Sequence, residues 1–250
     1  QVFTSESERL LPDGFSIRPN QRIYLLHHAC WNSGGDLPVS HTSIGGKQVQ
    51  NMSNALPIII GVTGASGSVL AKKTIDTLLE SSTPTIVCAS SAARIVWQEE
   101  MDESFGAAIE RWSDSNLFQY HPAQQINAPI ASGSFPTRGM AIVPCSMATL
   151  AAIAHGMADN LIRRSADVCI KERRPLLLMP RETPLSAIHL ENMAKLANLG
   201  VTIMPPDPPF YLKISSVDQI VEYFAYRISA ALGVSETLPD HLQYRGPEDI

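Results

Sequence analysis

Long apolar runs are missing from this chain. No stretch of about 18 hydrophobic residues occurs, so no transmembrane helix is expected. Positive charge is also scarce: 19 Lys and Arg stand against 24 Asp and Glu, a net −5, and no basic tract appears. A nucleic-acid-binding surface is therefore excluded as an expectation. The four cysteines, Cys30, Cys88, Cys145 and Cys169, are widely spaced and form no CxxC pair. That pattern fits reduced thiols packed in a core better than a disulfide framework or a zinc site. Neither HExxH nor GxSxG occurs, and the one run of carboxylates is Glu99, Glu100, Asp102 and Glu103. It falls where a helix gives way to irregular sequence, so it reads as a solvated helix end and not as a magnesium site. What is present is ordinary for a globular α/β protein: 44% hydrophobic and 17% charged residues in a 250-residue chain, enough for one sizeable core.

Residues 1–54 are rich in Ser, Gly, Asn and His and show no sustained periodicity of 2 or 3.6. They read as a partly disordered extension. A targeting role is one reading, against which Glu6, Glu8 and Asp13 weigh, so mitochondrial and cytoplasmic locations both stay open. From residue 55 the pattern becomes regular. Strands are expected at Pro57–Gly61, Thr85–Ala89, Gly139–Val143, Leu176–Met179 and Val201–Met204. Helices are expected at Ser68–Leu79, Ser91–Glu100, Met147–His155, Asp159–Ile170, Ser186–Asn198 and Val217–Leu232. Uniformly apolar strands alternating with helices predict a doubly wound parallel sheet, a Rossmann-like three-layer α/β sandwich of the flavodoxin-like type. Ligands then belong outside the C-terminal ends of the strands. The domain runs over 55–234 and is followed by a tail, 235–250, expected to wrap over a neighbour or fray. Residues 101–138 are the least regular part, and ASGSFPTRG (131–139) reads as a mobile loop.

GVTGASG (61–67) follows a strand and opens a helix, the context a phosphate-binding loop needs. Gly64 and Gly67 allow close backbone approach, and Thr63, Ser66 and Ser68 offer hydroxyls to an anion. A dinucleotide site would want an acidic residue at the end of the second strand. That strand ends at Ser90 instead, which favours a mononucleotide over NAD. A second hydroxyl cluster, Ser146 with Thr149, opens another helix directly after a strand, with Ser146 placed as an N-cap. Ser66, Ser90 and Ser146 thus mark three strand ends along one edge.

Between residues 159 and 193 lies a dense mixture of charge. Arg164 and Lys171, seven residues apart, share a helix face. Asp167 sits between them, so a salt-bridged surface fits the spacing as well as an anion site does. Arg181-Glu182 directly follows Leu176–Pro180, at the C-terminal end of a central strand, where charges face the ligand crevice. An arginine beside a carboxylate there suits anion binding with proton transfer. His189 reads as a supporting histidine, and Tyr211 and Arg227 could close over an anion.

With these residues in view, the chain resembles the flavin prenyltransferases, the UbiX/Pad family of the homo-oligomeric flavin-containing fold. The resemblance spans about Pro57 to Val234, through GVTGASG, ASSAAR, ASGSF, the block from Pro144 to Met193, and PPFY. It implies an enzyme that joins the dimethylallyl group of dimethylallyl monophosphate to N5 and C6 of reduced FMN without a metal. The product is prenylated FMN, the cofactor of UbiD-type decarboxylases. Carried over by motif, Gly64, Ala65, Ser66, Ser90, Ser146, Thr149 and Arg181 are implied FMN contacts. Lys171, Tyr211, Arg227 and Arg164 are implied to hold the dimethylallyl phosphate. Glu182, with Lys171 and Arg181, is implied to be catalytic. Assembly in multiples of trimers, up to a dodecamer, is implied as well, so that Tyr211 or Arg227 could serve a neighbouring chain. Residues 1–54 and 101–128 have no clear counterpart in the family.

Two rivals share the fold: a flavin-dependent cysteine decarboxylase and a non-catalytic FMN-binding regulatory subunit. The first carries PxSANT where this chain has PCSMAT, and a catalytic histidine early in the domain; none occurs here between His41 and His121. Intact Lys171, Arg181, Glu182, Tyr211 and Arg227 weigh against the second.

Overall fold

The computed structural model of the chain describes residues 55–244 and 246. The expectation for residues 1–54 lies outside them. Six parallel strands form one sheet: β1 (Ile58–Val62), β2 (Thr85–Ala89), β3 (Phe118–Pro122), β4 (Gly139–Cys145), β5 (Leu176–Pro180) and β6 (Thr202–Ile203), in the order β3-β2-β1-β4-β5-β6. The order reverses between β1 and β4, which creates a crevice at their C-terminal ends. The helices are α1 (Ser68–Glu80), α2 (Ser91–Glu100), α3 (Phe105–Ser113), α4 (Met147–Ala154), α5 (Leu161–Lys171), α6 (Ala187–Asn198) and α7 (Val217–Ala231).

The strands read as apolar runs because both faces are covered. Along β1, Ile58, Ile60 and Val62 face one core with Ile75 of α1 and Phe224 and Ile228 of α7. Ile59 faces a second core with Leu150 of α4, Ile162 of α5 and Leu196 of α6. Ile58, Ile59 and Ile60 are at most 1% exposed, and each contributes roughly 2 kcal/mol of burial. None of the helices among the described residues is long and apolar enough to cross a membrane.

Two elements were absent from the sequence reading, and both fall in its least regular segment. β3 is an edge strand whose middle residues are exposed or half-buried, so it shows no apolar run. α3 is capped by the Ser104 hydroxyl and buries Phe105, Ala108 and Trp112. The loop at 131–139 is not free either. Arg164 Nε donates to the Ala131 carbonyl (3.0 Å), and the Arg174 guanidinium donates to the carbonyls of Gly133 (2.6 Å) and Phe135 (2.8 Å) and to Thr137 Oγ1 (3.2 Å). The segment is a strap laid along α5. The described part of the tail also departs from expectation: Leu238 and Leu242 fold back and pack against the core on the α7 side.

Candidate active site

β1 delivers the chain to the switch-point crevice at Thr63. That hydroxyl is buried and already employed: it donates to the Pro144 carbonyl (2.8 Å) and accepts from the Ser146 amide (2.7 Å). Thr63 therefore ties the ends of β1 and β4 together and is not a free anion contact, as the sequence had suggested. Gly64 is required because a Cβ there would overlap the Ala92 methyl at the start of α2. Gly67 caps α1 with φ 122°, a conformation that favours glycine, and provides no side-chain cap.

The uncapped amides at the head of α1 have a partner from elsewhere in the chain. The Glu100 carboxylate accepts from the Gly67 amide (2.9 Å) and the Ser68 amide (2.8 Å). Burial raises its pKa, but the Ser66 hydroxyl and the Ser68 and Gly67 amides together hold it below the ordinary carboxylate range. Glu100 stands exposed at a helix end, as the sequence reading has it, but it also has a partner on the glycine loop that the reading did not include. Two of the amides that a phosphate would seek are taken by the protein's own anion. No local spacing announces this contact, since 33 residues separate the partners.

Two further helix N-termini meet the same edge. Ser90 caps α2, accepting from the Ala93 amide (3.1 Å), while its own amide donates to the Val62 carbonyl (3.0 Å). Ser146 caps α4, accepting from the Thr149 amide (3.3 Å) and donating to Thr149 Oγ1 (3.1 Å). Arg181, just past β5, reaches across β4: its Nε donates to the Ser66 carbonyl (3.3 Å). Gly64, Ala65, Ser66, Ser90, Ser146, Thr149 and Arg181 therefore gather at the C-terminal edge of the sheet. The exposed Glu182 follows, its Oε1 accepting from the Thr183 amide (3.1 Å). Among the described residues, no group of three or more His, Cys, Asp or Glu could hold a metal ion. His189 belongs to the capping box of α6, its Nδ1 accepting from the Ser186 amide (3.3 Å).

The residues implied for the dimethylallyl phosphate are distributed differently. α5 begins beside the C-terminal end of β3, where the Leu161 amide donates to the Ala123 carbonyl, and ends just before β5 starts. Its 11 residues span about 16 Å, so Lys171 lies at the N-terminal edge of the sheet, away from the glycine loop. Arg164 pairs with Asp167 (2.7 Å), the salt bridge that the spacing left open, and Lys171 lies 3.7 Å from Glu172. Tyr211 and Arg227 line a cavity of about 350 Å³ with Tyr223, Leu238, Leu242 and Tyr244. There the Tyr211 and Tyr244 rings meet edge to face at 5.3 Å, and the Arg227 guanidinium lies 6.0 Å from the Tyr223 ring centre. Within one chain, then, Lys171 stands apart from the crevice, and Tyr211 and Arg227 share a cavity that no glycine-loop residue lines.

Cys88, Cys145 and Cys169 are buried, and burial pushes all three thiols up, Cys88 and Cys169 to about 12. They are packing residues; Cys30 lies outside the described residues.

A family model described as Flavoprotein matches residues 47–229. A flavin prenyltransferase UbiX of Chlamydia pneumoniae is 42% identical over 193 residues, covering 76% of this chain and 98% of that protein. Among solved structures, AnUbiX (PadA1) in complex with FMN and dimethylallyl pyrophosphate is 37% identical, with a TM-score of 0.68, over 74% of this chain and 98% of that one. A dodecameric FMN-dependent Ubix-like decarboxylase from Escherichia coli O157:H7 is 38% identical, with a TM-score of 0.70, over 76% of this chain and all of that one.

Proposed function

The chain belongs to the Flavoprotein family, among its UbiX flavin prenyltransferases, and from that premise we propose that it transfers a dimethylallyl group from dimethylallyl monophosphate to reduced FMN. The single observation that carries this reading in the chain itself is Arg181 Nε on the Ser66 carbonyl. It closes the switch-point crevice between a glycine loop and two hydroxyl-capped helix N-termini. Such a donor set fits a planar ligand bearing one phosphate: the hydroxyls and the positive N-terminal ends of α2 and α4 favour the anion, and the arginine adds a fixed cation.

Reduced FMN, when bound, supplies the nucleophilic N5 and C6 positions of the reaction. Gly64, Ala65, Ser66, Ser90, Ser146, Thr149 and Arg181 are the residues proposed to hold it. Lys171, Arg164, Tyr211 and Arg227 are proposed to grip the phosphate of the allylic donor and to stabilise the charge it carries away, a role that elsewhere falls to magnesium. Tyr211 also offers a ring face to a developing allylic cation. Glu182 is proposed to take and return the proton. Glu100, fixed on the loop amides, keeps the loop in shape beside it.

Lys171 lies at the opposite sheet edge from the loop, so these two half-sites are proposed to meet between copies of the chain. The dodecameric state of the Escherichia coli relative supports a homo-oligomer of this kind. Delivery of the prenylated flavin to a UbiD-type decarboxylase is proposed on chemical grounds, since the modified flavin needs a consumer. Neither the cysteine decarboxylase nor the regulatory reading has an observation of its own in its favour.

The test is anaerobic incubation with reduced FMN and dimethylallyl monophosphate without magnesium, followed by mass spectrometry of the released flavin. Dimethylallyl diphosphate serves as a parallel donor. A flavin heavier by one prenyl unit, absent with Glu182→Gln, is expected. Unmodified flavin released from a protein that binds FMN would overturn the proposal.

A further inference from the structure

The sharp turn after α5 carries a contact that the site described above does not use. The helix ends with Glu172 as C-cap and Arg173 in the left-handed region (φ 55°). The Arg173 amide donates to the Ile170 carbonyl and the Arg174 amide to the Cys169 carbonyl, the paired bonds of a Schellman ending. Glycine is the usual residue at that position, so this ending holds a strained arginine in order to turn the chain sharply. The turn directs Arg174 onto the strap, where its fork of N–H groups takes three acceptors, on Gly133, Phe135 and Thr137. Arg164 holds the start of the segment at Ala131, and the Arg174 guanidinium alone makes the side-chain bonds over 133–137, the part that leads into β4.

Gly133 links that clamp to Lys171. Its carbonyl accepts the shortest of the three bonds, 2.6 Å, from Arg174. A Cβ on the same residue would overlap the Glu172 carboxylate and lie 3.3 Å from Lys171 Nζ. The ammonium and the neighbouring carboxylate therefore rest on the bare α-carbon of the residue that Arg174 holds by its carbonyl. Moving the strap moves the surface on which Lys171 lies. The three-bond fork fixes the orientation of 133–137 as well as its position, which the single contact of Arg164 at Ala131 does not.

We propose that Arg174 is a positioning residue for the allylic phosphate: by fixing Gly133 and the strap, it sets where Lys171 presents its ammonium. This rests on the reading of Lys171 as a phosphate-binding group. The side-chain bonds of Arg174 all go to the strap, and the flavin crevice of its own chain lies at the other edge of the sheet. Its effect on the site that Lys171 completes in a neighbouring copy therefore passes through Gly133 and Lys171. Loss of the clamp should therefore weaken the allylic donor selectively and leave FMN binding alone.

The experiment compares the full chain with Arg174→Gln, Arg174→Lys and Gly133→Ala. Four quantities are read: dissociation constants for FMN and for dimethylallyl monophosphate on the FMN-loaded oxidised protein, KM and kcat for the donor, and amide exchange over 132–137. Arg174→Gln is expected to raise the donor dissociation constant and KM by about tenfold, with FMN affinity unchanged and exchange over 132–137 accelerated. Arg174→Lys keeps the charge but not the fork and is expected to recover only part of the loss. Gly133→Ala reaches Lys171 from the other side and is expected to weaken the donor while Arg174 is intact. Equal losses for FMN and donor, or wild-type donor affinity in Arg174→Gln beside accelerated exchange, would overturn the proposal. If the wild-type chain makes no prenylated flavin, the transferase reading fails by itself. Donor affinity and exchange still decide whether Arg174 positions Lys171.

Discussion

Replacing Glu100 by glutamine is the perturbation that isolates the anion at the head of α1. The glutamine retains length and one acceptor oxygen but loses the charge, so the two amides of Gly67 and Ser68 and the Ser66 hydroxyl no longer face a carboxylate. A carboxylate at a helix N-terminus contributes about 0.3–1 kcal/mol at an exposed site, and charge-assisted hydrogen bonds are the stronger kind. Glu100 is exposed, so the total expected at pH 7 is about 1 kcal/mol. For a domain of this size that corresponds to a fall of roughly 2–4 °C in Tm. The sign of the pH dependence follows from the depressed pKa. The stabilisation is present above the ordinary carboxylate value and disappears as pH falls through the lower folded-state value. Urea or thermal unfolding of wild type and Glu100→Gln, from pH 7 down to the lowest pH at which the fold persists, should give two curves that converge on the acid side. A constant gap across that range, or no gap at pH 7, would show that the charge on the glycine loop does not act as described. FMN affinity measured in parallel reports how far the loop depends on this lock.

Three other perturbations address separate parts of the molecule. Gly64→Ala forces a methyl against Ala92 and is expected to cost about 1–3 kcal/mol by overpacking, read as a lower urea midpoint together with weakened FMN binding. Arg173→Gly removes the left-handed strain at the end of α5 and is expected to be neutral or to stabilise by about 0.5 kcal/mol, the relief being offset by glycine's freedom in the unfolded chain. Alkylation with iodoacetamide at pH 8 is expected to spare Cys88 and Cys169 in the native protein, because burial raises both thiols to about 12; peptide mass mapping before and after unfolding checks this, and native modification of either would contradict it.

The sheet was legible in the sequence because parallel strands buried on both faces leave continuous apolar runs: Thr85–Ala89 matches β2 residue for residue. Helix starts were legible where a hydroxyl stands after a strand, as at Ser90 and Ser146. β3 was not, since an edge strand with half-exposed tyrosine and histidine and a terminal proline resembles a loop. α3 left a signal that went unread: Ser104 as a cap, then Phe105, Ala108 and Trp112 along one face. In the site, Ser90, Ser146 and Arg181 could be placed at one edge because each directly follows a strand, and Ser66 because it lies in the glycine loop between β1 and α1. Glu100 could not, because its contact depends on how far α2 carries it back toward the loop. Nor could the separation of Lys171 from that loop, because seven-residue spacing says which face of a helix a residue shares and nothing about which end of the sheet the helix has reached. The strap looked mobile because ASGSFPTRG is made of turn residues; what holds it are Arg164 and Arg174, both far along the chain from the residues they bind.

The placement of Lys171 and Glu182 at opposite edges of one subunit has a consequence at the level of inheritance. On the proposed arrangement each active site borrows its phosphate-binding lysine from one copy and its carboxylate from another. A chain lacking Lys171 and a chain lacking Glu182 would each be inactive alone. Co-expressed and randomly mixed in a ring, they would rebuild intact sites at about a quarter of the positions, wherever the good halves meet. Two defective alleles would then complement each other within one assembly, and a single chain with both lesions would rescue neither.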